Sequence, residues 1–285
     1  MQAILAWGGL YLKSYGMETP FLDAQVLLSH CTGLDKTGLY REGGRFLSPA
    51  EEEAYSRLMQ RRAKTREPVA YLTGRKEFMG LELEVNPAVL IPRPETELLV
   101  EKSLELSAGC WADQSVLIVD VGTGSGAIAV SLAKYLPCAR LYAMDISRVA
   151  LEVAKRNALT HGVEERIVFL EGDLLLPLAG LGLEGRINLI AANLPYIRTS
   201  DLDNLMPDVG LYEPRPALDG GPDGLCLYRR LLSRARVFLS RPGYILMEIG
   251  AGQGGEIALG LALAGWKYEI ISDLAGRDRL AVAEV

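Results

Sequence analysis

The sequence predicts an α/β protein in which a mostly parallel sheet, covered by helices on both faces, follows a small all-helical domain. Apolar residues recur at three- and four-residue spacings through the first seventy residues, with Gly and Pro between the runs and no strand-like alternation. From Ser115 the rhythm changes to strand, helix, strand. A buried apolar run near 115–121 then leads directly into a glycine-rich loop that opens a helix.

In the N-terminal part, helices are expected over Ala3–Tyr15, Phe21–Cys31 and Ser48–Lys64. Ser48, Pro49 and Glu51 stand in the order a helix start favours: a capping hydroxyl, a first-turn proline, then an acid near the positive end of the dipole. Phe78–Pro87 alternates like a short hairpin and leads into Ile91-Pro-Arg-Pro-Glu-Thr-Glu97, where Pro94 opens a helix to about Ser107. The expected division is a helical domain at 1–74, a hairpin linker at 75–92 and an α/β domain at 93–285.

Within the α/β domain, strands are expected at 115–121, 140–145, 166–171, 187–192 and 244–249. Helices fall near 126–136, 148–160, 224–239 and 253–264. The end differs, because Lys267–Asp273 and Leu280–Glu284 are strand patterns separated by too few residues for a crossover helix and must pair antiparallel. A parallel sheet finished in this way is the arrangement of the seven-stranded, Rossmann-like S-adenosylmethionine-dependent methyltransferase fold, whereas nicotinamide-binding relatives normally continue in parallel.

Composition bounds the function. Of 285 residues, 30 are basic and 36 acidic, a net charge of −6. Residues 1–92 carry 11 of each sign, which leaves 19 and 25 beyond and makes the α/β half acidic. Such a surface does not suit a protein that clamps nucleic acid, since phosphates must be met by clustered Lys and Arg. The basic run Arg57, Arg61, Arg62, Lys64 and Arg66 reads either as a solvated helix face or as a surface for an acidic partner. Cys31, Cys110, Cys138 and Cys226 are scattered, and His30 and His161 are isolated, so no metal site is expected. No apolar run is long enough to span a bilayer, and the opening residues lack a basic segment before their apolar stretch, so a cytoplasmic protein is expected.

Two segments carry chemistry. Gly122, Thr123, Gly124, Ser125 and Gly126 follow the first strand of the sheet, where glycine lets backbone wrap a cofactor and the next helix presents free N–H groups. Asp145 ends the following strand, about 20 residues on, where a carboxylate can accept both hydroxyls of a ribose. Gly122, Gly124 and Ala127 also satisfy a dinucleotide fingerprint, so the loop alone leaves hydride chemistry open. Asp173 and Leu174 follow the third strand and suit an adenine amine and ring, although a turn aspartate would look the same.

The second segment is Asn193-Leu194-Pro195-Tyr196, directly after the fourth strand. The nitrogen of an amide or amino group on a planar sp² centre is a poor nucleophile, because its lone pair is delocalised. The Asn193 side-chain oxygen and the Leu194 carbonyl can accept its two N–H bonds and aim the developing lone pair at a methyl donor. Pro195 stiffens the loop and Tyr196 offers a face for the planar group. No strong base is needed, because the nitrogen becomes acidic once methylated.

At these residues the sequence resembles the release-factor glutamine methyltransferases, the HemK/PrmC family. The resemblance rests on EPVAYLTGRKEF at 67–78, VLIPRPETELLVE at 89–101, DVGTGSGAIA at 120–129, ANLPYI at 192–197, YEPRPALDGGPDGL at 212–225 and DLAGRDR at 273–279. It implies protein-(glutamine-N5) methylation of the Gly-Gly-Gln motif of a peptide chain release factor, which is a translation-termination partner. It also implies an N-terminal domain that helps engage that partner. Carried onto these positions, Gly122 through Gly126 line the methionine side of S-adenosylmethionine, Asp145 the ribose, and Asp173 with Leu174 the adenine; Asn193 through Tyr196 hold the glutamine amide, with Asn193 also beside the cofactor. The family's usual Asn-Pro-Pro-Tyr has Leu194 in place of its first proline here, which preserves the carbonyl and loosens the loop. Asn-Leu-Pro-Tyr also occurs in enzymes resembling adenine-methylating ones, so an N6-adenine methyltransferase acting on RNA or DNA is the alternative. Arg93 and Glu95 lie in the linker motif, where they either approach the cofactor or substrate at the sheet edge or serve helix-start chemistry, and they stand outside the expected site. A monomer without membrane or nucleic-acid partners is expected.

Overall fold

The computed structural model describes residues 1–111 and 114–285, which form two compact units. One unit is Met1–Arg75 with Met206–Tyr212, and the other is Lys76–Leu205 with Glu213–Val285. Among the described residues, no helix is long and apolar enough to cross a membrane.

In the first unit, α1 (Gln2–Ser14), α2 (Pro20–Thr32), α3 (Lys36–Arg41), α4 (Pro49–Thr65) and α5 (Val69–Thr73) enclose Leu12, Leu27, Leu28, Tyr55 and Met59. The three longer helices lie within a residue or two of their expected spans. The short α3 and α5 escape the sequence reading because one turn and a half displays no periodicity. The start of α4 follows from its residues. Ser48 Oγ accepts the Glu51 N–H (3.3 Å) and the Glu51 carboxylate accepts the Ser48 N–H (2.7 Å), so two otherwise unpaired helix donors are satisfied.

The basic run on α4 is not a uniform solvated face. Arg61 is paired with Glu67, while Arg62, with 8% of its side chain exposed, sits between Asp23 (2.8 Å) and Asp208 (2.5 Å). Arg66, one turn on, also donates to Asp208 (2.8 Å). Asp208 belongs to the segment 206–212, which the sequence reading leaves inside the 93–285 domain. The segment joins the helical unit because its acid neutralises two arginines there and Tyr212 Oη donates to the Thr65 carbonyl (2.8 Å).

The second unit opens with the hairpin of β1 (Arg75–Phe78) and β2 (Leu81–Glu84). After a 3₁₀ turn at Pro94–Thr96 come α6 (Glu97–Trp111), β3 (Leu117–Val121), α7 (Ala127–Tyr135), β4 (Arg140–Asp145), α8 (Arg148–His161), β5 (Ile167–Glu171) and β6 (Ile187–Ala192). The one-turn α9 (Pro207–Gly210) lies in the first unit, and α10 (Cys226–Phe238), β7 (Leu239–Glu248), α11 (Gly254–Leu263), β8 (Lys267–Ser272) and β9 (Asp278–Glu284) complete the second.

The seven strands are ordered β5-β4-β3-β6-β7-β9-β8, parallel throughout except that β9 runs antiparallel to both neighbours. Strand β7 begins five residues before its expected start, because Pro242 and Gly243 interrupt the apolar pattern and the pairing with β6 shifts register between Ile187 and Leu189. Alternate residues face opposite layers. Ile118, Leu141 and Leu189 pack beneath α6, α7 and the hairpin, whereas Val119, Met144 and Ile190 pack beneath α10 and α11. Each such buried side chain contributes about 1.5–3 kcal/mol by leaving water.

Chain order reverses between β3 and β6, so the carboxyl ends of these neighbours flank a crevice of the kind in which open α/β sheets bind ligands. The ionic cluster of the first unit makes a stability prediction. Arg62→Ala leaves buried Asp23 and half-buried Asp208 without this partner and should cost the helical unit about 3 kcal/mol, measured as a shift in its urea midpoint.

Candidate active site

The glycine loop is shaped by its own backbone. Gly122, Gly124 and Gly126 all have positive φ (75°, 55° and 83°), a region that L side chains rarely enter. The Gly122 and Thr123 N–H groups donate to the Met144 carbonyl (2.8 and 2.9 Å), which stitches the loop to the end of β4. Thr123 Oγ1 donates to Asp120 (2.6 Å), and Asn157 Nδ2 on α8 donates to the Ser125 carbonyl (2.8 Å). The same Asn157 accepts the Glu84 N–H (2.7 Å), so one side chain joins the hairpin, α8 and the loop.

Asp145 accepts the Gly124 N–H (2.9 Å) on one carboxylate oxygen and the Ser147 N–H (2.8 Å) on the other. The Ile146 N–H is a third backbone donor to this carboxylate. Burial raises its pKa, while these backbone donors oppose the rise. Asp173 and Leu174 lie beyond β5. Asp173 forms an ion pair with Arg230, and Leu174, at φ 49°, packs against the apolar layer beneath α10.

The segment after β6 meets the glycine loop. A Cβ on Gly122 would lie 3.0 Å from Leu194 Cδ2 and 3.8 Å from the Asn193 carbonyl oxygen. Leu194 is buried, which anchors the turn from below as a proline could not. Its N–H donates to Tyr228 Oη (3.2 Å), and the Tyr228 hydroxyl donates to the Glu248 carbonyl. Gln253 Nε2 donates to the Tyr196 carbonyl (3.0 Å) and its Oε1 accepts the Gly250 N–H (2.8 Å). The DGGPDGL stretch fits tightly under the same turn, since a Cβ on Gly220 would lie 2.7 Å from the Pro195 carbonyl oxygen and one on Gly224 2.3 Å from that of Tyr196.

Four side chains converge here from distant segments. Asn193 Nδ2 donates to Thr96 Oγ1 (3.0 Å), Thr96 Oγ1 donates to Glu248 Oε2 (2.6 Å), and Tyr196 Oη donates to Glu248 Oε1 (3.3 Å). Thr96 and Glu248 are buried. Burial pushes the Glu248 carboxyl up, and burial next to that acid also raises the Tyr196 hydroxyl. Arg279, buried and held by Asp273 (3.3 Å), lies close enough to Glu248 to favour its charged form. Arg93 forms an ion pair with the buried Glu213.

The structure thus brings together the glycine loop, Asp145 and Asn193 through Tyr196, and places Asp173 in a separate ion pair. Sequence reasoning missed Thr96, Asn157, Tyr228, Glu248 and Gln253. One signal was available: Glu248 is an acid ending the apolar run Tyr244–Met247, and charge at the carboxyl end of a buried parallel strand points to a site. Thr96 carried none, because its motif reads equally well as a helix start.

The residues present fit a cationic, ribose-bearing cofactor. Asp120 is fully buried, and its Oδ1 has no hydrogen-bond partner among the described residues while Oδ2 accepts from Thr123 and the Ala129 N–H (3.1 Å). A Cβ on Gly124 would meet nothing within 4 Å, so that stretch of loop backbone faces open space. Among the described residues, no group of three or more His, Cys, Asp or Glu side chains can hold a metal ion.

Burial pushes the Asp120 carboxyl up to about 7 from 3.8. The folded chain therefore holds this proton at pH values where the unfolded chain has lost it. The resulting stabilisation is complete below the unfolded value and disappears as pH rises through about 7. Between pH 5 and 8 the native chain should lose more stability than Asp120→Asn in parallel urea titrations; equal slopes would show Asp120 to be charged throughout. Gly224→Ala should cost at least 1 kcal/mol, roughly, from the collision with Tyr196 and the positive φ of 77°, and should lower turnover by displacing the Asn193–Tyr196 turn.

Comparison with known proteins adds to this geometry. Residues 3–74 match the family described as PrmC N-terminal domain, and residues 101–209 match the ribosomal protein L11 methyltransferase (PrmA) family. Two solved structures share the fold. The ribosomal protein L11 methylase of Lactobacillus delbrueckii subsp. bulgaricus is 20% identical, with a TM-score of 0.50 over 70% of this chain and 83% of that one. The N-terminal domain of human METTL16, in complex with SAH, is 15% identical, with a TM-score of 0.53 over 97% and 93%. The release factor glutamine methyltransferase of Moorella thermoacetica is 46% identical over 95% of this chain and 94% of its own length. That of Geobacter sulfurreducens is 43% identical over 92% and 87%. Sharing the methyltransferase fold with the first pair, and nearly half its residues over nearly its whole length with the second, the chain belongs to the release factor glutamine methyltransferases.

Proposed function

We propose that this chain transfers a methyl group from S-adenosylmethionine to the side-chain amide nitrogen, N5, of the glutamine in the Gly-Gly-Gln motif of peptide chain release factors. The observation that carries the reading is the orientation of Asn193: Nδ2 is bonded to Thr96, and no described residue donates to Oδ1. That oxygen and the adjacent Leu194 carbonyl are two acceptors on one turn, matched to the two N–H bonds of a primary amide.

S-adenosylmethionine supplies an electrophilic methyl group on a sulfonium sulfur. Gly122, Thr123, Gly124, Ser125 and Gly126 would give close backbone approach to its methionine part, Asp120 would lie near its positive charge, Asp145 would accept from the ribose, and Asp173 with Leu174 would face the adenine. Asn193 and the Leu194 carbonyl hold the glutamine amide so that its lone pair, rather than an N–H, points at the methyl carbon. Pro195 restrains the turn and Tyr196 covers the planar amide. With the donor bound, a nitrogen–carbon bond would form while the carbon–sulfur pair returned to sulfur, and positive charge would develop on the amide nitrogen. The two oxygens bind that charge more tightly than the neutral ground state, which is differential stabilisation of the transition state. The nitrogen then releases a proton to water, so a dedicated base is unnecessary. Alignment supplies the rest, because two ordered reactants replace a bimolecular search.

Residues 1–74 serve as the domain that engages the release factor, residues 75–92 as the hairpin linker and residues 93–285 as the catalytic domain. The enzyme acts in the cytoplasm, where its substrate works, as a monomer and without nucleic acid as acceptor; the acidic 93–285 region supports that choice over an adenine in RNA or DNA.

The test is methyl transfer from labelled S-adenosylmethionine to a purified unmodified release factor, its Gln→Ala loop variant and a structured RNA. Label is expected on the release factor alone, and label on RNA alone would overturn the acceptor. Asn193→Ala should lower turnover at saturating cofactor by about 10²–10³-fold with little change in cofactor affinity; equal loss of both would remove its assigned role.

A further inference from the structure

An asparagine amide has nearly the same shape in its two orientations, which differ by exchange of oxygen and nitrogen and are distinguished only by hydrogen bonds. For Asn193 the difference is decisive. One orientation offers an oxygen to an incoming N–H, and the other offers a second N–H and repels it.

The groups behind Asn193 settle the choice through proton counting. Thr96 Oγ1 has one proton and lies 2.6 Å from Glu248 Oε2 and 3.0 Å from Asn193 Nδ2. A carboxylate only accepts, so the hydroxyl proton goes to Glu248 and Thr96 turns lone pairs toward Asn193. Only the NH₂ end of Asn193 can meet them, which directs Oδ1 away from Thr96. The second Glu248 oxygen accepts the Tyr196 hydroxyl (3.3 Å), so the same acid orients a second residue of the turn. Thr96 and Glu248 are 3% and 2% exposed, which leaves no water to substitute for a missing partner. Three far-separated segments, at 96, 193 and 248, meet in this chain of bonds.

We infer that Thr96 and Glu248 are positioning residues forming a polarity relay, in which the carboxylate at the end of β7 orients the hydroxyl of Thr96 and that hydroxyl locks the Asn193 amide with its oxygen toward substrate. The inference rests on the reading of Asn193 as an acceptor for the substrate amide. It gives the IPRPETE motif a role in turnover beyond starting a helix. Glu248→Gln, nearly identical in shape, breaks the relay: its amide can donate to Thr96, freeing the Thr96 proton for Asn193 and stabilising the reversed orientation.

The experiment compares the full-length chain with Thr96→Val, Thr96→Ser, Glu248→Gln and Asn193→Ala in steady-state methyl transfer to the release factor, with S-adenosylmethionine affinity measured by calorimetry. Thr96→Val and Glu248→Gln should lower kcat by about 10- to 100-fold, the range of one lost buried hydrogen bond. Cofactor affinity and KM for the release factor should stay within about twofold. Thr96→Ser, which keeps the hydroxyl, should recover the turnover lost in Thr96→Val, a recovery that a purely volume-filling role for Thr96 does not produce. Thr96→Val turning over like the native chain while Asn193→Ala is inactive would overturn the relay and leave Asn193's role standing. A fully active Asn193→Ala would overturn the underlying reading itself. Parallel loss of cofactor affinity, or Thr96→Ser no better than Thr96→Val, would reduce Thr96 to packing and also overturn the relay.

Discussion

The parallel register of β3 with its two neighbours is the constraint on which the rest depends. Val121, the last residue of β3, stands opposite Met144 on β4 and Ala192 on β6. Three strands therefore end level, and the residues after each of them emerge at one edge. The glycine loop, Asp145 and Asn193 are neighbours for this reason although they are far apart in the chain. Small residues make the register possible: Ala143 and Ala191 flank Asp120, so the buried acid is held between two methyl groups with no bulk to force the strands apart.

That alignment brings the turn to the edge but does not shape it. Asn193 through Tyr196 is held by groups delivered from elsewhere: Tyr228 on α10, Glu248 and Gln253 at the end of β7 and the start of α11, Thr96 ahead of α6, and the closely approaching Gly220 and Gly224. Most of these supports are backbone contacts or single buried hydrogen bonds. Such contacts tolerate little displacement, since an unsatisfied buried polar group costs more than the bond contributes. Leu194 fits this frame. Where the related motif has a proline, a buried leucine side chain and an N–H to Tyr228 anchor the turn instead.

Charge is arranged differently in the two units. The helical unit balances its acids and bases and commits Arg61, Arg62 and Arg66 of its basic run to internal pairs. The α/β unit concentrates buried carboxylates, Asp120 and Glu248, near the carboxyl edge of the sheet, with Asp145 partly buried between its backbone donors. Burial raises the pKa of each of these acids, and an arriving cation favours their charged forms, as the sulfonium in the chemistry proposed for the site would do.

Periodicity and punctuation in the sequence were enough for the helical region, the alternating strands and helices, the antiparallel finish and the positions of the glycine loop and the Asn193–Tyr196 turn at the ends of their strands. These features arise from local steric rules, such as the positive φ of the glycine loop, the capping of α4 and the short gap between β8 and β9. The attachment of 206–212 to the helical unit was not legible, because an aspartate 142 positions from Arg66 shows no local sign of its partner. Thr96 and Glu248 were hidden for the same reason: a threonine in a helix start and an acid at a strand end become a relay only when folding places both within hydrogen-bond distance of one asparagine or one another. Local residue type therefore decided which loops could do chemistry, and long-range packing decided which way the atoms of Asn193 point, because the direction of a hydrogen bond is set by partners that only the tertiary fold brings together.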